Sequence, residues 1–116
     1  MSIDPILGDI NDFKFLIDSA DRLGIKVVLD GVFNHTGDDS LYFNKYNRYQ
    51  SLGAYQSKDS PYYKWYNFID YPNKYESWWG IKTLPAINEE NSSFVNFITG
   101  KGGVIEYYTE MGVAGW

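Results

Sequence analysis

Three residues able to do chemistry crowd the end of one apolar run: Asp30, Asn34 and His35 in Gly24-Ile25-Lys26-Val27-Val28-Leu29-Asp30-Gly31-Val32-Phe33-Asn34-His35. They bring a carboxylate, an amide and an imidazole. Polar groups at the tip of a buried strand are where α/β folds place their ligands. Read alone, each residue also has a plain structural role. Asp30 forms a turn with Gly31. Asn34 brackets the segment that follows. His35, the one histidine of the chain, is a hydrogen-bonded structural ring. Asp38 and Asp39 are adjacent loop acids, read as solvated caps, with cation binding as the other reading.

The elements that deliver these residues are legible before and after them. Asp9 is a good helix N-cap, and Asp12 three residues on makes a capping-box pattern. Phe13, Leu16, Ile17 and Ala20 then share one helical face, and Gly24 suits a C-terminal stop. Residues 25–32 follow as a β-branched apolar run without alternation, predicting a strand buried on both faces. Helix, tight turn and buried strand make half of a βαβ unit, so the predicted class is α/β. Residues 36–60 are polar, with a short helix expected over Asp39–Asn47. Residues 55–79 hold ten aromatics, broken by Pro61 and Pro72. They predict an irregular excursion with short strands, packed by its own rings. Long irregular connections are usually functional. Asn91 can cap a helix carrying Phe94, Phe97 and Ile98. A last helix, residues 103–112, carries Val104, Ile105, Tyr108 and Met111. Val113-Ala114-Gly115-Trp116 reads as the opening of another strand.

Composition narrows the function classes. The chain has 116 residues, a formal net charge of −5 and no cysteine. An acidic chain without a basic cluster is a poor partner for nucleic acid. No run approaches the ~20 apolar residues of a membrane span. Met1-Ser2-Ile3-Asp4 carries no signal-peptide pattern, and localisation stays open between cytoplasmic and secreted. Aromatic content of 19% argues against disorder.

Asp30-Gly31-Val32-Phe33-Asn34-His35 resembles the Asp-x-Val-x-Asn-His motif of the α-amylase family of glycoside hydrolases. Ile3-Asp4-Pro5, Leu23-Gly24-Ile25-Lys26-Val27, Leu84-Pro85-Ala86-Ile87-Asn88 and Gly112-Val113-Ala114-Gly115-Trp116 resemble further family segments, in the family's order. Trp78-Trp79-Gly80 with the Leu-Pro-x-x-Asn pattern is most similar to the neopullulanase, cyclomaltodextrinase and amylopullulanase branch. The resemblance implies an incomplete (β/α)8 barrel, a TIM-barrel segment with a domain B insertion. Residues 1–33 would hold barrel helix 2 and strand 3. Residues 34–100 would be domain B. Residues 101–116 would be helix 3 and the start of strand 4.

The resemblance also implies roles. His35 would hydrogen-bond a sugar hydroxyl, Asp30 would order the groups around it, and Trp79, Trp78 and Tyr63 would stack on pyranose rings. The alternative for these rings is the core of domain B. Asn88 would brace the base of domain B. Asn34 supplies a calcium ligand in many relatives, but calcium-binding members carry an Asp where this chain has Ala86, which cannot coordinate. The family's reaction is retaining hydrolysis of α-1,4 or α-1,6 glucosidic bonds, which needs two carboxyl groups ~5 Å apart. Its nucleophile motif would begin just after Trp116, so no catalytic carboxylate is expected here. The expected chain is then a fragment of an α-glucan hydrolase, inactive alone, binding an α-glucan or maltooligosaccharide. It would associate or swap because its barrel is incomplete. A non-catalytic carbohydrate-binding module and a small independent α/β protein are the other readings.

Overall fold

Asp9 starts the first helix, α1 (Ile10–Arg22), by local hydrogen bonding. Its Oδ1 accepts from the backbone N–H groups of Asn11 at 2.7 Å and Asp12 at 3.1 Å, and Asp12 Oδ2 accepts from Asp9 N–H at 2.9 Å. Such a cap stabilises a helix by about 1 kcal/mol. The helix stops at Gly24, whose φ of +73° suits glycine, with Ile25 N–H returning to the Ala20 carbonyl at 2.9 Å. The computed structural model describes residues 1–116. They form two compact units: unit 1 is Met1–Gly31 with Asn96–Trp116, and unit 2 is Val32–Val95.

In unit 1, Ile17 is the buried residue of α1. Phe13 meets Tyr108 edge-on, with centroids 5.7 Å apart. Tyr108 lies on α3 (Val104–Thr109), shorter than the 103–112 expected because a turn leads on to Gly112. Gly112 has φ +96°, and a Cβ there would sit 3.0 Å from Ile17 Cγ2, so glycine allows this close approach. Leu16, expected on the buried face, is exposed. Residues 25–32 correct the sequence reading. They form no continuous strand. Val28 bridges Gly115 in parallel, supported by Ala114 N–H to the Val27 carbonyl (2.9 Å) and Leu29 N–H to the Gly115 carbonyl (3.0 Å). A doubly buried strand needs neighbours on both edges and cover on both faces. This segment pairs on one edge, and Val28 is 62% exposed.

Unit 2 is organised around residues 83–88, the Leu-Pro-x-x-Asn segment. On one edge, Ile87 N–H donates to the Asn34 carbonyl (3.0 Å) and Thr36 N–H to the Pro85 carbonyl (3.2 Å), with His35 opposite Ala86. On the other, Ala86 N–H reaches the Glu76 carbonyl (3.0 Å), Trp78 N–H the Leu84 carbonyl (2.9 Å) and Asn88 N–H the Trp65 carbonyl (2.8 Å). A short antiparallel pair, β1 (Phe68–Asp70) and β2 (Lys74–Tyr75), adjoins this set with an irregular register. The core is aromatic, as expected. Phe43 is 0% exposed, ringed by Tyr75 at 4.8 Å, Tyr66 at 4.9 Å, Tyr55 at 5.6 Å and Phe68 at 5.9 Å.

No helix forms over Asp39–Asn47. Asn44 and Asn47 have φ of +51° and +54°, which no right-handed helix contains. Asn44 instead acts as a buried hub. Its amide nitrogen donates to the carbonyls of Tyr49 and Ser51 and to Gln56 Oε1, and its oxygen accepts from Arg48 and Tyr49 N–H. At the end of the unit, Asn91 Oδ1 accepts from Ser93 and Phe94 N–H, each at 3.1 Å, and starts α2 (Ser92–Thr99) as expected. Phe94 packs on Trp65, centroids 5.1 Å apart.

Candidate functional site

The pairing of residues 34–36 with 85–87 fixes His35 at one end of a ring stack. The imidazole lies against Trp78 with centroids 5.2 Å apart and planes 26° off parallel. Trp78 lies against Trp79 at 4.5 Å and 7°. The turn carrying the tryptophans is closed by Gly80 N–H to the Ser77 carbonyl, Ile81 N–H to the Trp78 carbonyl and Leu84 N–H to the Ile81 carbonyl. Three flat rings therefore follow one another, and the outer one, Trp79, is 84% exposed.

Trp79 is anomalous twice. A large apolar ring faces water, and its backbone sits at φ +52°, a left-handed conformation unusual for a bulky residue. Such strain concentrates at ligand clamps. Gly80 follows at φ +74° with open space where a Cβ would be.

His35 Nδ1 is 2.7 Å from Asn34 Oδ1. An amide oxygen only accepts, so Nδ1 donates to it and Nε2 is left for another partner. The stack thus offers a hydrogen-bonding imidazole edge at one end and the open indole face of Trp79 at the other. Those two ends suit pyranoses, whose C–H faces pack on a ring and whose hydroxyls hydrogen-bond at an edge.

The same geometry tests the calcium expectation. Calcium takes six to eight oxygens. Asn34 Oδ1 accepts from His35, and the residue opposite His35 is Ala86, whose side chain has no oxygen. No group of three or more acidic, His or Cys side chains gathers anywhere in the chain. The side chains here supply too few oxygens to hold a calcium ion by themselves, and no chemistry is routed through one.

The other sequence candidates separate. Asp30 is exposed and belongs to unit 1. Tyr63 joins a different cluster, stacked on Phe68 (5.2 Å, 8°) and edge-on to Tyr71 (5.6 Å, 72°). Asn88 ties residues 83–88 to Trp65 through its N–H, and its Oδ1 accepts from Glu90 N–H at 3.3 Å.

Asp38 departs from its reading as a solvated cap. It is 5% exposed. Its Oδ2 accepts from Lys45 Nζ at 3.2 Å and from Tyr46 Oη at 2.9 Å, while its N–H reaches the Thr83 carbonyl at 2.9 Å. Lys45 goes on to Tyr75 Oη at 3.4 Å, and Tyr75 Oη donates to the Lys82 carbonyl at 2.8 Å. This relay fixes the far end of the tryptophan turn, and no sequence pattern announces it. Burial pulls the Lys45 ammonium down, but the hydrogen bonds to Asp38 and Tyr75 outweigh it and leave its pKa above the ordinary value. Asp39 remains exposed and pairs with Arg48 at 2.9 Å. Burial pushes the Tyr66 phenol up to about 12, although its hydrogen bond with Thr36 Oγ1 pulls the other way.

Comparison with known proteins gives the class. Residues 1–116 match the family model "Alpha amylase, catalytic domain", and the chain belongs to the α-amylase family. It is 45% identical over 118 aligned residues to the amylopullulanase of Thermoanaerobacterium thermosulfurigenes, covering 91% of this chain and 6% of that enzyme. It is 30% identical to neopullulanase 2 of Thermoactinomyces vulgaris over its full length, against 19% of that enzyme. Its backbone is similar to that of the acarbose-soaked debranching enzyme of Nostoc punctiforme, with a TM-score of 0.81 at 31% identity, covering 99% of this chain and 24% of that one. The chain thus spans about a quarter or less of these three relatives.

Proposed function

We propose that this chain supplies one wall of the glucan-binding cleft of a retaining α-glucan hydrolase acting on α-1,4 or α-1,6 glucosidic bonds. The observation that carries this reading is the His35–Trp78–Trp79 stack, with Trp79 84% exposed in a left-handed backbone. Trp79 takes the apolar face of one glucosyl residue with Trp78 backing it, and His35, at the other end of the stack, hydrogen-bonds a hydroxyl of a different glucosyl residue. Asp30 orders groups at the end of its own segment, 25–32. Asn88 braces the base of the excursion. Within the whole enzyme, residues 34–100 act as domain B, and the flanking residues are part of a (β/α)8 barrel.

The bond-breaking step of a retaining hydrolase needs two carboxyl groups across the scissile bond. The acids of unit 2 nearest in sequence to the stack are otherwise engaged: Asp38 by Lys45 and Tyr46, Asp39 by Arg48, Glu76 by Asn67 at 2.8 Å. On this reading the chain binds glucan and leaves cleavage to carboxylates elsewhere in the parent enzyme. Incubation with maltotriose, pullulan or cyclodextrin tests this. No released sugar above an empty-vector control is expected, and turnover by this chain would overturn the division of labour.

The exposed Trp79 face equally suits a carbohydrate-binding module that never cleaves. The reading frame separates the two. An Arg-x-Asp following Trp116, with a Glu further on, marks the hydrolase, and its absence favours the module.

A further inference from the structure

Tyr63 was grouped with the two tryptophans by residue type, yet it lines a separate depression of about 340 Å³ in unit 2 with Lys64, Asn67, Phe68, Asn88 and Asn91. Neither His35, Trp78 nor Trp79 lines it. We propose that this depression is a second saccharide-binding site, taking one glucosyl residue of an α-glucan. The choice of an α-glucan rests on the function proposed above. The polar and aromatic character of the depression stands apart from it.

Its chemistry is that of a neutral polyhydroxyl ligand. Tyr63 is held flat on Phe68 and wedged edge-on by Tyr71, so its ring is ordered before a ligand arrives, which lowers the cost of binding. Three amides stand around it, each with one end fixed by the chain. Asn67 Nδ2 donates to Glu76 Oε2. Asn88 Oδ1 accepts from Glu90 N–H. Asn91 Oδ1 accepts from Ser93 N–H, Ser93 Oγ and Phe94 N–H. The opposite ends, Asn67 Oδ1 and the amide NH2 groups of Asn88 and Asn91, remain for a ligand. The wall thus brings three amides, groups that both give and take hydrogen bonds, beside an aromatic ring, matching sugar hydroxyls that do the same. Its volume falls at the small end of the about 300–1,000 Å³ of small-molecule sites, suiting one ring rather than a chain segment. The amides carry no charge, and Lys64 is the one cation on the wall, so an anion is the less favoured occupant.

Titration of the ¹⁵N-labelled chain with maltotriose tests this. The side-chain NH2 signals of Asn88 and Asn91 report the depression, and the Trp79 indole N–H reports the ring stack. Both sets should move and saturate with separate Kd values. Trp79→Ala should silence the stack and leave the Asn88 and Asn91 responses. Tyr63→Ala should weaken those responses about fivefold and leave the indole response. If the Asn88 and Asn91 signals stay still while the indole moves, the second site is refuted and the stack reading survives. If they move with the indole and vanish in Trp79→Ala, there is one site and the proposal fails. If they move while the indole stays still, the second site stands and the stack reading falls. Movement with sulfate but not with maltotriose would also overturn it. The wild-type titration decides the first of these outcomes even if Tyr63→Ala does not fold.

Discussion

Replacing Trp79 separates a residue kept for binding from one kept for stability. Its ring is 84% exposed, so roughly a sixth of a side chain that buries about 200 Å² in a core is covered here. At about 25 cal/mol per Å², that cover amounts to about 1 kcal/mol. Against this stands the backbone at φ +52°, which disfavours any residue with a Cβ by about 1 kcal/mol relative to glycine. Trp79→Gly loses the contact and relieves the strain, so it should leave stability within about 1 kcal/mol of wild type. Trp79→Ala loses the contact and keeps the strain, so it should be about 1 kcal/mol less stable than wild type and than Trp79→Gly. Urea unfolding followed by far-UV circular dichroism measures both. A loss above about 3 kcal/mol in Trp79→Gly would show that the indole is a structural element of unit 2, and the argument from exposure and strain would fail.

Other outcomes follow from the same structure. Asp38→Asn removes the charge that holds Lys45 and Tyr46 and should destabilise the chain by about 2 kcal/mol, less than a fully buried pair because Lys45 reaches water; equal urea midpoints for variant and wild type would refute the relay. Alkaline pH should weaken the fold. Tyr66 titrates near 12 in the folded chain against an ordinary 10.0, so the unfolded chain loses this proton first and stability falls as pH rises from about 10 to 12, by up to about 3 kcal/mol. Lys45, also raised, acts in the same direction. A Tyr66→Phe variant with an unchanged alkaline unfolding profile would count against that assignment. Ile25, Val28 and Val32 lie exposed on a segment paired along one edge, and such edges associate. Sedimentation should show dimers or larger species, and monomer alone at all concentrations would contradict this.

Local signals were the legible part of this chain. The Asp9–Asp12 box, the Gly24 stop and the Asn91 cap each depend on residues within a turn of one another, and each appears as expected. The strand at 25–32 was misjudged because burial on two faces is a property of neighbours, and here one bridge at Val28 is all that pairs. The helix at Asp39–Asn47 failed because Asn44 tolerates a left-handed backbone and gains five hydrogen bonds by adopting it. In the candidate site, types were legible and groupings were not. His35, Trp78 and Trp79 lie 43 and 44 positions apart in sequence (78 − 35 and 79 − 35) and meet only through residues 83–88. Tyr63, equally aromatic, goes to another cluster. Asp38 looked like any loop acid until the positions of Lys45 and Tyr75 were known.

A His35–Trp78–Trp79 stack that holds an α-glucan owes its affinity to Trp79. Isothermal titration of the wild-type chain and of Trp79→Gly with maltoheptaose tests it most directly. A pyranose face covering about 40 Å² of indole, and losing as much of its own surface to water, contributes about 2 kcal/mol. Saturable binding by the wild type and a Kd about thirtyfold weaker in Trp79→Gly, with the fold intact, are expected. Equal affinity of the two proteins for maltoheptaose, or no binding by a folded wild type, would contradict it.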